Sequence, residues 1–465
     1  MQTEHAPFVL RDGELIPPNA NTLNLSSPTA NYGVICIDGM IATIKIVDDK
    51  IYLVFPDFGA HLARHILNSS RSVRNVDDED LISLDRAINL GRSYESHPSL
   101  KLTLEKGKQL DFQIYMEKFV NLFFRLISEG FGQSNYIRPI VVLSNSRMDD
   151  ETIPNDCAID ASLYKANYSV IPMYWPAILG PRHPSFPGYS LLVPQNYLAP
   201  APDTSKIQFK AGSTYDPTRN PGVAEKNRHN GLFGSGKSYL ANDIVLMDYT
   251  RTRLSEGSGS NLVFVSPSGT FFSPKIDGTV FPGLTQKFVH QDLVQGEVGQ
   301  TFGWKSEYRD IYLSELAELS KTGHELFLTG SAAGIIPVRK IILPKVKNPT
   351  SKDDLGMFDF KSGRETLTAI VRDAYQSFSI GEACDIQHAG KKVRMTGFES
   401  VPLMIELPPE VAQRTLEKLT HFSPNFEPVS RPLDQIMRSG RVTQINSLAR
   451  NRVETVSGRR QAALR

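Results

Sequence analysis

The 465-residue sequence predicts an α/β (α+β) protein that is divided into at least two domains. Two observations lead to this fold class: β-rich runs alternate with segments of helical periodicity, and a proline-dense stretch separates the two halves of the chain. With 40% hydrophobic and 22% charged residues, the chain can bury a large core. We therefore expect a small N-terminal α+β domain over residues 1–173, an interdomain connection over 174–202, a larger domain over 203–400 and a C-terminal extension over 401–465.

Strands and helices follow one another in the N-terminal part. The runs YGVICIDGMIATIKIV and KIYLVF are β-rich and are separated by the polar turn DDK. In the helical stretch that follows, Leu62, Ile66 and Leu67 share one face. A second helical pattern, DFQIYMEKFVNLFFRLISEGFG, leads into the buried-strand pattern IRPIVVL. These patterns predict a helix packed on a sheet.

The second half of the chain begins after a stretch from Tyr174 to Pro202 in which prolines break regular structure. Beyond it, DIVLMDY, NLVFVSP, GTFFSP, HELFLTG and GIIPVRKIIL indicate strands, and ETLTAIVRDAYQSF indicates a helix. From about Glu427 the apolar periodicity stops, and residues 431–465 contain eight arginines against two acidic residues. We expect a second α/β domain followed by a basic, disordered tail whose partner is unknown.

Composition and charge exclude several classes of partner. Fifty-one basic and 50 acidic residues give a net charge of +1, which offers no field for nucleic acid or anionic lipid. The three cysteines are far apart and the histidines lack metal-ligand spacing, which argues against a disulfide framework and against a metal site. The N-terminus has no basic or apolar region of a signal peptide, and no apolar run reaches the roughly 20 residues that span a bilayer. We expect a soluble cytoplasmic protein.

Four segments of the second half combine reactive side chains with small residues. They are KAGSTY with Lys210 and Tyr215, LSEGSGSNLVFV with Glu256, GTVFPGLTQ with Leu284 and Thr285, and LTGSAAGIIPV with Ser331 and Ala332. Pyridoxal 5'-phosphate (PLP) needs a lysine for its aldehyde, a carboxylate for its ring nitrogen and anion-binding amides for its phosphate. The four segments contain a candidate for each of these needs.

The order of motifs resembles the class IV (fold-type IV) aminotransferases, and most closely the branched-chain amino acid aminotransferases, over about residues 30–385. The family pattern YG…EG, HL.R.L.SA, YIRP, K.GGNY, SEG.G.N, LPGITR and GTAA..TPV occurs here as YGVICIDG, HLARHILNSS, YIRP, KAGSTY, SEGSGSN, FPGLTQ and GSAAGIIPV. No single motif is specific to this family, whereas the occurrence of all seven motifs in the same order is. The resemblance implies a two-domain fold-type IV aminotransferase fold, residues 203–400 as the cofactor-binding domain, and a homodimer.

The resemblance also implies roles for individual residues. Lys210 resembles the catalytic lysine that carries PLP and moves the α-proton of the substrate. The implied PLP ligands are Lys210, Glu256 at the ring nitrogen, Tyr215 at the phenolic oxygen, and Arg64, Leu284, Thr285 and Ser331 at the phosphate. The implied substrate ligands are Tyr32, Gly39, Tyr136, Arg138, Ser331 and Ala332, among which Arg138 and Tyr32 resemble the pair that accepts the side-chain carboxylate of glutamate.

The expected function is PLP-dependent transamination between an L-amino acid (branched-chain or aliphatic, or glutamate) and a 2-oxo acid such as 2-oxoglutarate. Ile37, Asp38 and Gly39 stand where the family has Phe-Glu-Gly, and Ile41 replaces an arginine, so one wall of the substrate pocket is altered. An alternative is therefore a PLP enzyme of the same fold that acts on a secondary-metabolite amino acid or as a lyase.

A second departure follows Lys210. Pro217 and Pro221 are expected to break the helix that the family has at this place. This keeps open a further alternative, a catalytically inactive homologue that serves as a binding or regulatory protein.

The segment GLFGSGKS at 231–238 matches the P-loop pattern GxxxxGK[ST]. A working P-loop follows a buried strand and opens a helix. Here the preceding EKNRHN is polar, and the strand-like DIVLMDY begins a few residues later. We therefore expect a flexible Gly/Ser loop at this position and no nucleotide site.

Overall fold

The computed structural model describes residues 4–21, 29, 34–47, 50–74, 82–129, 136–147, 163–174, 188–194, 212–234, 240–331, 334–379, 381–396, 402–413 and 430–431. In this part of the chain no helix is both long enough and apolar enough to span a membrane. The chain is of the mixed α/β class that the alternating sequence patterns predict.

The first sheet of the N-terminal part is built on a long antiparallel hairpin, Tyr136–Arg147 (β10) with Tyr164–Tyr174 (β11). Its other strands are Glu4–His5 (β1), Val9–Arg11 (β2), Glu14–Ile16 (β3), Ile35–Ile37 (β4) and Met40–Ile41 (β5). The order across the sheet is β3-β2-β11-β10-β4, with β1 paired to β11 and β5 paired to β10. Residues 35–41 and the start of β10, which carry several predicted site residues, therefore lie side by side.

A second sheet of the N-terminal part joins early and late residues of the chain. It consists of Thr43–Val47 (β6), Lys50–Phe55 (β7), Leu403–Glu406 (β23) and Ser430–Arg431 (β24), in the order β23-β7-β6-β24. A separate hairpin is formed by Lys101–Glu105 (β8) and Lys108–Asp111 (β9). Strand β23 places Leu403 and Ile405 in the N-terminal core, so part of the C-terminal extension is an integral strand of this sheet.

Three helices cover the described part of these sheets: Phe58–Arg74 (α1), Leu84–Arg92 (α2) and Phe112–Ser128 (α3). Leu62, Ile66 and Leu67 of α1 are buried, as their shared face predicts. Asp111 is the N-cap of helix α3: its Oδ1 accepts a hydrogen bond from the amide of Ile114 at 2.8 Å and so satisfies one free N–H of the first turn.

The larger domain is built on a nine-stranded sheet within the described residues. Its strands are Tyr189–Leu192 (β12), Asp243–Met247 (β13), Leu254–Gly257 (β14), Asn261–Val265 (β15), Thr270–Pro274 (β16), Lys305–Arg309 (β17), Glu325–Gly330 (β18), Gly334–Pro344 (β19) and Leu355–Asp359 (β20). Their order is β14-β13-β12-β19-β18-β15-β16-β17, with β20 paired to β19, and a hairpin of Cys384–His388 (β21) and Lys391–Met395 (β22) lies apart.

Helices pack on both faces of this sheet. They are Gly212–Phe233 (α4), Leu284–Lys287 (α5), Glu297–Phe302 (α6), Leu316–Lys321 (α7) and Leu367–Ser379 (α8), and a π-helix over Phe288–Val294 continues α5. Successive residues of β15 point to opposite faces: Leu262 and Phe264 belong to one core cluster, Val263 and Val265 to another. A strand buried on both faces explains the unbroken apolar run NLVFV.

The structure confirms the predicted strands and helices that fall within the described residues, and the differences lie at α4 and β12. Helix α4 continues through Pro217 and Pro221, so the prediction that these prolines break the helix was wrong. Each removes one backbone donor and crowds the carbonyl four residues earlier, a cost that the packing of the helix against β13 outweighs. Strand β12 lies inside the proline-dense range 174–202, because its parallel pairing with β13 and β19 comes from the tertiary fold. The predicted disordered tail lies outside the described residues, apart from β24.

Candidate functional site

Eight predicted site residues lie within the described part of the chain: Gly39, Arg64, Tyr136, Arg138, Glu256, Leu284, Thr285 and Ser331. For Tyr215 the structure describes only the backbone, in α4. Tyr32, Lys210 and Ala332 lie outside the described residues. The described residues are therefore the surroundings of the predicted catalytic lysine, and the role of Lys210 stays a prediction.

Arg64 lies in α1 and is 1% exposed. Its Nε and Nη2 donate to Asp38 Oδ2 and Oδ1 at 2.9 and 2.7 Å, a bidentate pair. His61, one turn earlier on the same helix, has Nδ1 3.3 Å from Asp38 Oδ1, and burial lowers the pKa of this imidazole. Arg64 Nη1 is also buried and has no hydrogen-bond partner among the described residues. One donor of this guanidinium is thus available for an anion.

Glu256 lies in β14 and is 2% exposed. Its Oε2 accepts a hydrogen bond from the backbone amide of Phe281 at 2.9 Å and a longer one, at 3.5 Å, from Nδ2 of Asn261. The guanidinium carbon of Arg64 lies 5.0 Å from the centroid of the Phe281 ring, a cation–π contact. Phe281 therefore contacts both Arg64 from the N-terminal part and Glu256 from the larger domain.

A small cleft opens between the two parts of the chain. The N-terminal part contributes Ile41, Pro56, Asp57 and His61, and the larger domain contributes Leu284, Thr285, Ser331, Tyr375 and Phe378. Thr285 Oγ1 lies 3.2 Å from Tyr375 Oη, and Gly283 precedes α5 without any side-chain cap for its first amides. Uncapped amides and hydroxyls at a helix start suit an anion. The structure thus brings Leu284, Thr285 and Ser331 together at one cleft.

Gly39, Tyr136 and Arg138 form a second contact set at the start of β10. Arg138 Nη2 donates to Tyr136 Oη at 3.2 Å, and its guanidinium carbon lies 5.4 Å from the centroid of the Tyr136 ring. A Cβ atom at position 39 would overlap the Tyr136 hydroxyl, so this close approach requires glycine. Arg138 Nε is buried without a partner among the described residues. Tyr136 therefore contacts both of the other predicted substrate ligands.

Behind the cleft, Arg92 at the end of α2 connects the two parts of the chain. Its Nε and Nη2 donate to Asp57 at 2.9 and 3.0 Å, and its Nη1 donates to Asp292 of the π-helix at 3.1 Å. Burial acts to lower the pKa of Arg92, but the two carboxylates outweigh it and the pKa is raised. Burial raises the pKa of Asp292. Because Asp57 also lines the cleft, this ion cluster fixes one of its walls.

His290 supports the π-helix that continues α5. Its Nε2 lies 2.8 Å from Ser273 Oγ, and its Nδ1 lies 2.7 Å from Ser306 Oγ. Burial lowers the pKa of His290 to about 4. The folded protein therefore keeps this side chain neutral at pH values where an unfolded chain, with a histidine pKa of about 6.5, protonates it.

We expect His290 to make the protein less stable in acid. In acid the unfolded state binds a proton at this histidine that the folded state does not bind. The free energy of unfolding therefore keeps its full value above about pH 6.5 and falls between there and about pH 4, by a total on the order of 3 kcal/mol. Urea unfolding of the wild type and of His290→Gln at pH 7 and pH 5 measures this, and the wild type should lose more stability between the two. Equal losses in both proteins would contradict the assignment.

Several residues of the site have no role implied by the motifs. Asp38 stands out in the sequence as a departure from the family pattern, and Asn261 is the last residue of the motif SEGSGSN; both bond to predicted PLP ligands. His61 and Tyr375 line the cleft. The spacing of His61 and Arg64, one helical turn apart, is the signal that could place both on one face.

The P-loop match at 231–238 does not have the required context. Of its described residues, Gly231 to Phe233 end α4 and Gly234 follows the helix, so the expected flexible loop was wrong for Gly231 to Phe233. The next described strand is β13. A P-loop needs the opposite order, a strand before and a helix after. Lys237 lies outside the described residues.

Comparison with known proteins agrees with this architecture. Residues 237–341 match the family described as amino-transferase class IV. A probable branched-chain-amino-acid aminotransferase of Staphylococcus aureus (strain N315) is 26% identical over 252 residues, which are 52% of this chain and 61% of the relative. The chain spans less than two thirds of the length of the curated relatives it matches.

Solved structures share the fold. The branched-chain amino acid aminotransferase from Escherichia coli is 18% identical, with a TM-score of 0.53, over 81% of this chain and 95% of that one. The branched-chain aminotransferase from Thermoproteus uzoniensis with norvaline is 16% identical, with a TM-score of 0.52, over 81% and 96%. A third branched-chain amino acid aminotransferase, with pyridoxamine 5'-phosphate, is 16% identical, with a TM-score of 0.50, over 81% and 95%. The fold-type IV fold predicted from the motif order is confirmed.

Proposed function

We propose that this chain, a relative of the class IV aminotransferases, is a PLP-dependent transaminase that moves an amino group between an L-amino acid and a 2-oxo acid. The observation that supports it best is the position of Phe281. This residue contacts both Arg64 and Glu256, the residues proposed for the two ends of the cofactor. One of the aminotransferases that share the fold was determined with pyridoxamine 5'-phosphate.

The described residues fit PLP. Arg64 Nη1 is a buried donor without a described partner, and the amides of Leu284 and Thr285 at a helix start, with Ser331 across the cleft, suit its phosphate. Glu256, held by the Phe281 amide, is the proposed partner of the ring nitrogen, and Tyr215 the proposed partner of the phenolic oxygen. PLP supplies an electron sink for charge that develops at the α-carbon of the substrate.

Individual residues of the chain are proposed to anchor the cofactor, move the proton and bind the substrate. Lys210 is proposed to anchor the cofactor and, with its amine released by the incoming amino acid, to move the proton of the α-carbon. Tyr136, with Ser331 and Ala332, is proposed to bind the α-carboxylate. Arg138 and Tyr32 are proposed to accept the side-chain carboxylate of glutamate, and Gly39 to leave room for the substrate beside Tyr136.

The proposed substrates are branched-chain or aliphatic amino acids, with glutamate and 2-oxoglutarate as the shared pair. Ile41 lines the cleft and supports an aliphatic side chain. We also propose a homodimer, by analogy with the fold, a cytoplasmic location, and domain boundaries near 174–202 and 400. A catalytically inactive homologue is a second candidate, because Asp38 occupies two of the guanidinium nitrogens of Arg64.

The absorption spectrum tests the proposal. We expect purified wild-type protein with PLP to show a visible band of lysine-bound cofactor that leucine or glutamate bleaches, and Lys210→Ala to lack it. Lys352→Ala, which removes an exposed lysine, is the matched control and should behave like the wild type. Absence of the band from wild type after addition of PLP would rule out the enzyme. A band that no amino acid bleaches would favour the inactive homologue.

A further inference from the structure

The turn between β14 and β15 brings Asn261 next to Glu256. Gly257 N donates to Ser260 O at 2.7 Å, which closes the turn and places both side chains in the interior, at 2% exposure for Glu256 and 4% for Asn261. Asn261 Nδ2 donates to the backbone oxygen of Phe281 at 2.6 Å and to Glu256 Oε2 at 3.5 Å. One amide group thus contacts both the carboxylate and the segment that carries Phe281.

The same side chain contacts the start of α5. A Cβ atom at position 283 would overlap Asn261 Oδ1, so Gly283 packs directly against this oxygen. Gly283 O in turn accepts a hydrogen bond from Lys287 N at 2.9 Å, the first of helix α5, which begins with the cleft-lining residues Leu284 and Thr285. Asn261 therefore lies between the carboxylate at one end of the site and the helix start at the other.

The segment held by Asn261 is fixed on its other side as well. Ser255 Oγ donates to Thr279 O at 2.7 Å, and Phe281 N donates to Glu256 Oε2 at 2.9 Å. Residues 279–283 consequently have hydrogen bonds or contacts to strands β14 and β15 at three of their five positions. Removing the amide of Asn261 leaves a buried carbonyl without this donor, and buried polar groups strongly favour having a partner.

We propose that Asn261 is a positioning residue that couples the two ends of the cofactor site, holding Glu256 at the ring end and residues 281–283 at the phosphate end in one arrangement. This inference rests on the proposed function for the identity of the ligand. The coupling itself predicts two results. Residues 281–283 become more mobile when the side-chain amide of Asn261 is removed, and the affinity for ligands falls at the ring end and at the phosphate end together.

Amide hydrogen exchange in the cofactor-free protein tests the first consequence. In Asn261→Ala, exchange of the Phe281 amide should become about tenfold faster or more, because its hydrogen bond opens more often. Asn230→Ala is the matched control: Asn230 also makes two hydrogen bonds to backbone, to N and O of Ala241, but at the end of α4. Unchanged exchange at Phe281 in Asn261→Ala would overturn the inference whether or not the protein binds PLP.

Binding of the two halves of the cofactor tests the second consequence. We expect Asn261→Ala to weaken binding of pyridoxal and of inorganic phosphate by about tenfold each, and Asn230→Ala to leave both unchanged. Weaker binding of only one of the two probes, or of neither, would overturn the coupling. If wild-type protein binds neither probe nor PLP, the proposed function fails, and the role of Asn261 at a cofactor site fails with it, whereas the exchange result still reports on the anchoring of residues 281–283.

A size-matched variant guards against misfolding of the alanine protein. Asn261→Asp keeps the shape of the side chain but replaces the donor by a carboxylate oxygen next to Glu256. It should weaken both probes as Asn261→Ala does. Wild-type affinity for pyridoxal and phosphate in Asn261→Asp would show that the donor is dispensable and would also overturn the inference.

Discussion

Replacing Arg92 with methionine should lower the free energy of unfolding by about 3–5 kcal/mol. The substitution removes the cation between Asp57 and Asp292, both of which bond to the guanidinium at 2.9–3.1 Å. Arg92 is 2% and Asp57 5% exposed, so the substitution leaves the Asp57 carboxylate buried without the charge of Arg92, while Asp292 is 24% exposed. Urea unfolding followed by circular dichroism measures the loss.

A surface pair provides the control for Arg92. Arg125 lies 2.8 Å from Glu129, and the side chains are 55% and 41% exposed. Arg125→Met should change stability by no more than about 1 kcal/mol, since solvent screens both charges. If both substitutions cost the same, the buried cluster contributes no more than an ordinary surface pair. The triple variant Arg92→Met, Asp57→Asn, Asp292→Asn should regain part of the loss, because no uncompensated carboxylate remains.

Replacing Lys45 with methionine should lower the free energy of unfolding by a similar amount, about 3–5 kcal/mol. Lys45 Nζ lies 3.2 Å from Glu382 Oε1, and the side chains are 1% and 6% exposed. Lys45 belongs to β6, and Glu382 follows α8 in the larger domain, so this pair also connects the two parts of the chain. Unlike the Arg92 cluster, this pair consists, within the described residues, of one cation and one carboxylate.

Because the pair joins one cation to one carboxylate, replacing both residues removes both charges together, which makes a double variant informative. Lys45→Met with Glu382→Leu replaces the whole pair by apolar side chains and should recover most of the stability lost by Lys45→Met alone. The exposed pair of Lys50 and Glu406, 3.0 Å apart in the same sheet, is the control, and Lys50→Met should have little effect. A double variant as unstable as the single one would indicate that the lysine acts through packing and not through its charge.

Elements with strong local patterns could be predicted from the sequence. The run NLVFV predicted a strand, and β15 is buried on both faces; the spacing of Leu62 and Ile66 predicted a helix, and α1 buries that face. Strands β12 and β23 could not be found in this way. The sequence around β12 is dominated by prolines, and β23 is four residues long and pairs with a strand near the other end of the sequence.

The motif order predicted which segments meet at the site, but not the bonds between them. Leu284, Thr285 and Ser331 do line one cleft. The pairing of Arg64 with Asp38 depends on how α1 packs against the end of β4, and that of Asn261 with Phe281 on a turn and a loop that are twenty residues apart. Such contacts follow from tertiary packing, which a single sequence does not display.

The pairing of β7 with β23 has a consequence for synthesis of the protein. Residues 56–402 separate the two strands, so at about 5–20 residues per second β7 leaves the ribosome roughly 20–70 s before its partner exists. During that time one edge of β7 has open backbone donors and acceptors beside the apolar residues Leu53, Val54 and Phe55. The nascent chain therefore presents a template for mispairing with other chains, and its yield in cells should depend on chaperones more than its final stability would suggest.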